Sequence, residues 1–173
     1  MSLSSQSLLR KILKSYNMSW DVLKKMTKVG FTCGAFDLLH AGHALMFKEC
    51  KDHCNYLVVG LQKDPSFDRP DKNKPIQSLE ERFTMLNSIR WIDEIVIYKT
   101  EDDLYQLLKT QVADKDINVR IIGEDWKGKE FTGHDLDVDV VYNSRDHGYS
   151  TSDLRERVYL AEKRRRDDEL SSS

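Results

Sequence analysis

Short apolar segments alternate with amphipathic ones from residue 29 to residue 163, and that alternation predicts an α/β fold, a doubly wound parallel sheet. Two observations carry the reading. Residues 56–61, Tyr-Leu-Val-Val-Gly-Leu, are apolar on both faces, as in a strand covered by helices on either side. Ser78-Leu79-Glu80-Glu81 is a capping box that opens a helix straight after a polar loop containing Pro65, Pro70 and Pro75.

The elements follow in order. Residues 8–28 read as helical: Leu8, Leu9, Ile12, Leu13 and Tyr16 share one face, with Arg10, Lys11 and Lys14 mostly off it. Residues 29–33 form a strand, 41–54 a helix and 56–61 a strand. The prolines make 63–77 a loop, and the capping box starts a helix that runs to about Arg90. Strands at 95–98, 119–122 and 138–142 alternate with a helix at 101–112 and a last helix at about 152–163. The chain thus divides into a helical extension (1–28), a core domain (29–160) and a charged flexible tail (161–173), in which Lys163-Arg164-Arg165-Arg166 is neutralised by Asp167-Asp168-Glu169. The extension is expected to pack on its own domain or on a partner copy rather than on a membrane, because its apolar stripe is short and mixed.

Charge narrows the function. Lys and Arg total 27 and Asp and Glu 29, a formal net charge of −2, which argues against a nucleic-acid binder relying on bulk positive charge. Cys33, Cys50 and Cys54 are too few and odd in number for a disulfide framework, so a reducing compartment is expected. No apolar run could span a bilayer, and Met1–Ser7 lacks the order of a signal peptide. A cytoplasmic protein is the expectation. In a doubly wound sheet ligands sit at the carboxyl ends of strands, here after Cys33, Leu61, Ile122 and Tyr142.

The segment after the first strand concentrates the chemistry. In Cys33-Gly34-Ala35-Phe36-Asp37-Leu38-Leu39-His40-Ala41-Gly42-His43 the two histidines are three residues apart and share one face of the first helical turn. That turn offers backbone N–H groups and the positive end of the helix dipole, a natural phosphate site. Gly34 and Gly42 allow close backbone approach. The arrangement suits phosphoryl or nucleotidyl transfer, in which positioning and charge neutralisation do most of the catalysis. The alternative, a capping histidine beside a surface one, is outweighed by the glycine between them and the strand–turn–helix setting.

This segment resembles the G-T-F-D-x-x-H-x-G-H signature of the cytidylyltransferase-like nucleotidyltransferases. Ile122-Gly123-Glu124-Asp125-Trp126 resembles their G-D-D-W element, and Arg145-Asp146-His147-Gly148-Tyr149-Ser150-Thr151-Ser152 their R-T-x-G-I-S-T-T segment. The resemblance covers about residues 29–158 and is greatest to the glycerol-3-phosphate cytidylyltransferases.

The resemblance implies a Rossmann-like nucleotidyltransferase fold in which residues 29–160 form the catalytic domain. His40 and His43 would contact the triphosphate, and Arg145 would hold its oxygens. Cys33, Gly34, Ala35, Phe36, Asp37 and Gly42 would line the nucleotide site. Gly123 and Asp125 would face the cytidine end, while Gly148, Ser150 and Thr151 would bind phosphates. Lys72 and Lys74 would reach phosphate or the acceptor, with Asp64 a weaker acceptor-site candidate. Ser150, Thr151 and Ser152 are also good N-cap residues on independent grounds, and a helix N-terminus binds phosphate. The chain departs from the pattern at Ala35, Asp146 and Tyr149, and these positions bear on nucleotide contacts and acceptor choice.

Other constellations carry less. Cys50, His53 and Cys54 share about a turn of helix but have no fourth ligand nearby, so a buried thiol and a surface histidine are expected. Trp91 and Trp126 read as packing groups, Trp126 as a wall of the site. His147 stands in the motif loop and is a candidate for facing substrate; His134 gives no signal. The implied reaction is CMP transfer from CTP, with Mg²⁺ carried on the triphosphate, to a small phosphorylated alcohol, foremost glycerol 3-phosphate, giving CDP-glycerol and pyrophosphate. Alternatives are phosphocholine or phosphoethanolamine with CTP, a sugar phosphate with ATP, or a non-catalytic nucleotide binder. The resemblance also implies a homodimer.

Overall fold

The protein was analysed as a computed structural model that describes residues 27–114, 116–144 and 146–171. The helix expected over residues 8–28 thus lies outside the described residues, save for its last two. Strands β1 (Val29–Gly34), β2 (Tyr56–Gln62), β3 (Glu94–Tyr98), β4 (Val119–Gly123) and β5 (Asp139–Asn143) form one sheet in the order β3-β2-β1-β4-β5. Every neighbouring pair is parallel. The intervening helices are α1 (Ala41–His53), α2 (Leu79–Asn87) and α3 (Glu101–Ala113), and α4 (Thr151–Ser171) follows the sheet.

Side-chain alternation along the strands builds a core on each face. Leu57, Val59 and Leu61 of β2 join Val119 and Ile121 of β4 against Phe47 and Cys50 of α1. On the other face Phe31 of β1 and Tyr98 of β3 meet Leu104 and Leu108 of α3. Phe31, Leu57, Leu61, Ile121 and Phe47 have no exposed surface, and each such side chain contributes about 1.5–3 kcal/mol relative to exposure. Chain direction through the sheet reverses between β1 and β4, which opens a crevice at their carboxyl ends.

The capping box at Ser78 forms as the sequence predicts: the Ser78 hydroxyl accepts from the Glu81 amide at 3.1 Å, and the Glu81 carboxylate accepts from the Ser78 amide at 2.7 Å. Thr100 and Asp103 repeat the device at the start of α3. Two helices differ in length from expectation. α2 stops at Asn87 rather than near Arg90, because the Ser88 hydroxyl donates to the Met85 carbonyl at 2.6 Å and the Ile89 amide bonds to Leu86 at 3.0 Å, tightening the last turn. α4 continues to Ser171 through the segment expected to be a flexible tail. Ion pairs one turn apart, Arg165 with Glu162 and Glu169 and Arg166 with Glu162, line that stretch. Among the described residues no helix is long and apolar enough to cross a membrane.

Candidate active site

The loop from β1 to α1 holds two non-glycine residues in the left-handed region, Phe36 at φ 50° and Leu38 at φ 49°. Each costs about 1–3 kcal/mol and persists only where the surroundings hold it in place, as they do here. The Phe36 ring meets His43 edge-on at 5.5 Å and Phe47 at 5.3 Å between centroids. The Leu38 amide donates to Gln77 Oε1 at 2.7 Å. Between them Asp37, 6% exposed, accepts from the amides of Ile76 at 3.1 Å and Gln77 at 2.9 Å, and from the Arg155 guanidinium at 2.6 Å. Burial alone would raise the Asp37 carboxyl, but the amides of Gln77 and Ile76 and the charge of Arg155 outweigh it and hold the group below the usual carboxylate range. Asp37 lines the cleft, and its carboxylate is occupied in clamping the loop before α2 and the side of α4.

That loop delivers the two histidines. His40 is the N-cap of α1, and its Nδ1 accepts from the Gly42 amide at 3.1 Å. His43 Nδ1 accepts in turn from the His40 amide at 3.4 Å, so the pair forms a capping box made of imidazoles. Because both Nδ1 atoms accept, the neutral rings carry their protons on Nε2. The rings stack 4.0 Å apart at 28°. The capping role that the sequence reading set against phosphate binding is thus present: the Nδ1 edges of both rings serve the end of α1. Burial, followed by the nearby charges of His147 and Arg157, holds His40 below its ordinary pKa.

The start of α4 stands across from the histidines. Thr151 Oγ1 lies 3.3 Å from His40 Nε2 and donates to the Asp37 carbonyl at 3.4 Å. Ser150 Oγ accepts from the Asp153 amide at 3.1 Å, which makes Ser150 the cap of α4 and leaves its hydroxyl proton to donate elsewhere. In the preceding loop the Tyr149 amide donates to His147 Nδ1 at 3.1 Å, and the two rings stack at 5.6 Å. Gly42 is where these parts crowd together: a Cβ there would stand 2.8 Å from His147 Cε1 and 2.9 Å from His40 Cε1.

These groups border a cleft of about 510 Å³ at the carboxyl ends of the strands. Cys33, Gly34, Ala35 and Phe36 line it from the end of β1 and the loop after it, Gly123, Asp125 and Trp126 from the end of β4 and the turn after it, and His147, Ser150 and Thr151 from the approach to α4 and its first residue. The two lysines separate: Lys72 lines the cleft, whereas Lys74 is exposed outside that lining and its carbonyl accepts from Arg155. Gly148, at φ 66°, turns the chain ahead of α4 without lining the cleft. The carboxylate of Asp64 caps the short turn Pro65–Phe67, accepting from the Ser66 amide at 3.0 Å and the Ser66 hydroxyl at 2.6 Å. Asp146, which departs from the family pattern, is exposed and does not border the cleft. Arg145 lies outside the described residues.

Several polar residues that carry no motif in the sequence hold this end of the sheet together. Arg82 of α2, 2% exposed, donates to four carbonyls: Ala35 at 2.7 Å, Gln62 at 2.8 Å, Lys63 at 2.6 Å and Gln77 at 3.2 Å. It ties the ends of β1 and β2 to the start of α2. Arg155 anchors Asp37, and Asn143 at the end of β5 donates to the Met46 carbonyl at 3.1 Å. Arg120 sits buried in β4 beside the cleft. Away from the site, Cys50 is a buried thiol that burial pushes up to about 12, and it contacts the Asn143 amide. Among the described residues no group of three His, Cys, Asp or Glu side chains could hold a metal ion.

The strand order, the reversal between β1 and β4 and the helix N-termini that meet at that point define the class: a doubly wound α/β fold with a cleft at its switch point. A lipopolysaccharide core biosynthesis protein from Thermoplasma volcanium GSS1 shares the fold, with a TM-score of 0.54 at 22% identity over 67% of this chain and 95% of that one. Residues 31–157 match the family model described as cytidylyltransferase-like, and the chain belongs to that family, an enzyme family of nucleotidyltransferases. It is 35% identical to the glycerol-3-phosphate cytidylyltransferase of Bacillus subtilis (strain 168) over 133 residues, 77% of this chain and 98% of that protein. It is 36% identical to the bifunctional protein HldE of Campylobacter curvus (strain 525.92) over 137 residues. That match takes in 79% of this chain and spans only 28% of the HldE protein's length.

Proposed function

We propose that the protein transfers CMP from CTP to a small phosphomonoester, foremost glycerol 3-phosphate, releasing pyrophosphate. The observation that carries this reading is the stacked His40–His43 pair, both Nδ1 atoms engaged by backbone amides, set at the N-terminus of α1 and facing the capped start of α4. Two helix N-termini and the His40 Nε2 edge meet at one end of the cleft, where this reading puts the α-phosphorus of a triphosphate. His40 and His43 donate to the α-phosphate oxygens as charge builds in the transition state. Ser150 and Thr151 hold phosphates through hydroxyls and first-turn amides, with Lys72 and Arg145 adding positive charge. Lys74, outside the cleft lining, has no direct contact role in this reading. Gly123, Asp125 and Trp126 receive the nucleoside end.

The acceptor phosphate is already an anion, so it attacks in line without a general base. Mg²⁺ neutralises the triphosphate when bound. The donor set at the helix ends, imidazoles, hydroxyls and amides, fits a metal that arrives with the nucleotide. A second reading keeps the reaction and changes the substrates to phosphocholine or phosphoethanolamine with CTP, or a sugar phosphate with ATP. It draws on Ala35 and Tyr149, which depart from the family pattern and line the cleft. Pyrophosphate release measured for CTP and ATP, each against glycerol 3-phosphate, phosphocholine, phosphoethanolamine and a sugar 1-phosphate, tests both readings. Turnover highest with CTP and glycerol 3-phosphate is expected; turnover with none of the pairs contradicts the transferase reading.

A further inference from the structure

The histidines and α4 border the cleft from one side of the sheet; the opposite side carries a charge that nothing described above uses. Arg120 alternates with Val119 and Ile121 in β4, so it points to the face that carries Phe31, Cys33 and α3. It is 3% exposed and lines the cleft. Its guanidinium lies 4.9 Å above the Phe31 ring, donates to the Phe31 carbonyl only at a long 3.4 Å, and donates to the Cys33 thiol sulfur, a weak acceptor, at 3.2 Å. Its Nε is buried with no hydrogen-bond partner, and among the described residues no carboxylate pairs with it. A buried cation held by a ring face, a sulfur and one long carbonyl contact is under-compensated, because burying charge without an opposite charge is costly.

A second orphan donor borders the same cleft. Arg69 pairs with Glu101 at 3.0 Å and donates to Gln62 Oε1 at 2.8 Å, while its own Nε is buried without a partner. Gln62 donates to Glu101 at 3.3 Å, and Thr132 donates to the other Glu101 oxygen. This network fixes Arg69 at the end of β2 and leaves it with an N–H to offer. Arg69, Gln62, Glu101, Thr132 and Arg120 all line the cleft. Two guanidinium groups with an N–H lacking an acceptor, one of them a cation without a counter-ion, line one cleft and call for an oxyanion beside them.

We propose that Arg120, supported by Arg69, forms the acceptor subsite and binds an oxyanion of the acceptor, a phosphate or a carboxylate. The assignment rests on the nucleotidyltransferase reading for the word acceptor, but the binding does not depend on turnover. It makes Arg120 a specificity-determining residue. Acceptors bearing a cationic head group are disfavoured beside it, and small anionic ones are favoured.

Calorimetric titration of wild type, Arg120→Met, Arg120→Lys and His43→Ala with inorganic phosphate, glycerol 3-phosphate and glycerate tests the assignment. Glycerate separates carboxylate from phosphate recognition. Glycerol 3-phosphate is expected to bind wild type and His43→Ala alike, to weaken about tenfold or more in Arg120→Met, and to recover in part in Arg120→Lys. CTP binding should stay unchanged in Arg120→Met, and its melting temperature should equal or exceed that of wild type, since an apolar side chain of similar volume relieves an uncompensated buried charge. The proposal is overturned if Arg120→Met binds the anions as wild type does, if it melts lower and loses CTP binding as well, or if none of the three anions binds wild type. Failure of the transferase reading shows separately, as absent pyrophosphate release with every substrate pair while the anion titrations stand.

Discussion

Thr151 Oγ1 lies 3.3 Å from His40 Nε2, so the first residue of α4 touches the residue that caps α1, across 111 positions of sequence. The same hydroxyl donates to the Asp37 carbonyl, so the start of α4 is held at two points to the loop between β1 and α1. Replacing Thr151 by the near-isosteric Val keeps the packing and removes the hydroxyl. We expect kcat for pyrophosphate release to fall about tenfold, the equivalent of one ordinary hydrogen bond at the transition state, with little change in melting temperature.

Gly42→Ala separates helix propensity from site geometry. In a helix the change ordinarily stabilises by about 0.5–1 kcal/mol. Here the new methyl would stand under 3.0 Å from both His147 and His40, so one ring must shift. We expect kcat/KM to drop about a hundredfold, the scale of a misplacement near 1 Å, while circular dichroism still reports a folded protein.

Asp37 sets an acid-stability signature. Its folded-state pKa lies below the ordinary 3.8, so its contribution is complete above pH 3.8 and is lost as pH falls through the lowered value. Asp37→Asn should cost about 2 kcal/mol near neutral pH, within the range for hydrogen bonds to a charged group. Urea melts of wild type and variant should then converge as the pH is lowered below 3.8; a gap independent of pH would contradict the assignment.

His40 is held below its ordinary 6.5 first by burial and then by the charges of His147 and Arg157. The unfolded chain therefore takes up this proton first: the group's stability contribution is full above pH 6.5 and is lost as pH falls through the folded value. A neutral His40 keeps its Nδ1 cap and its Nε2 donor at neutral pH. His147→Gln removes one of the two charges, so the His40 titration followed by NMR should move upward without reaching 6.5, because burial remains. A midpoint that stays put would show that His147 does not act on His40.

Much of this architecture is legible in the sequence, and the reason is physical. A parallel strand buried on both faces must be apolar throughout, which is why residues 56–61 read plainly, and the Ser78–Glu81 box marks a helix start through its own hydrogen bonds. The His-x-Gly-His segment is equally local, since cap, glycine and dipole all lie within one turn. What escaped was long-range. The positive φ of Phe36 and Leu38, the four carbonyls on Arg82 and the Arg155–Asp37 pair join segments tens of residues apart and leave no periodic trace. The continuation of α4 to Ser171 was obscured because its surface is polar on every side. Arg120 did leave a signal, a lone charge inside an otherwise apolar strand, and that signal is one a sequence can show.

The central claim is that the His40–His43 pair transfers a cytidylyl group to a phosphate acceptor. Phosphorus NMR of CTP, Mg²⁺ and glycerol 3-phosphate with wild type and His43→Ala tests it most directly, since the substrate phosphates, pyrophosphate and a new diphosphate ester resonate separately. The account predicts equal amounts of diphosphate ester and pyrophosphate with wild type, and a rate about a hundredfold to a thousandfold lower with a folded His43→Ala, as for loss of a transition-state donor. Wild-type rates from His43→Ala, or consumption of CTP without a diphosphate ester, would contradict it.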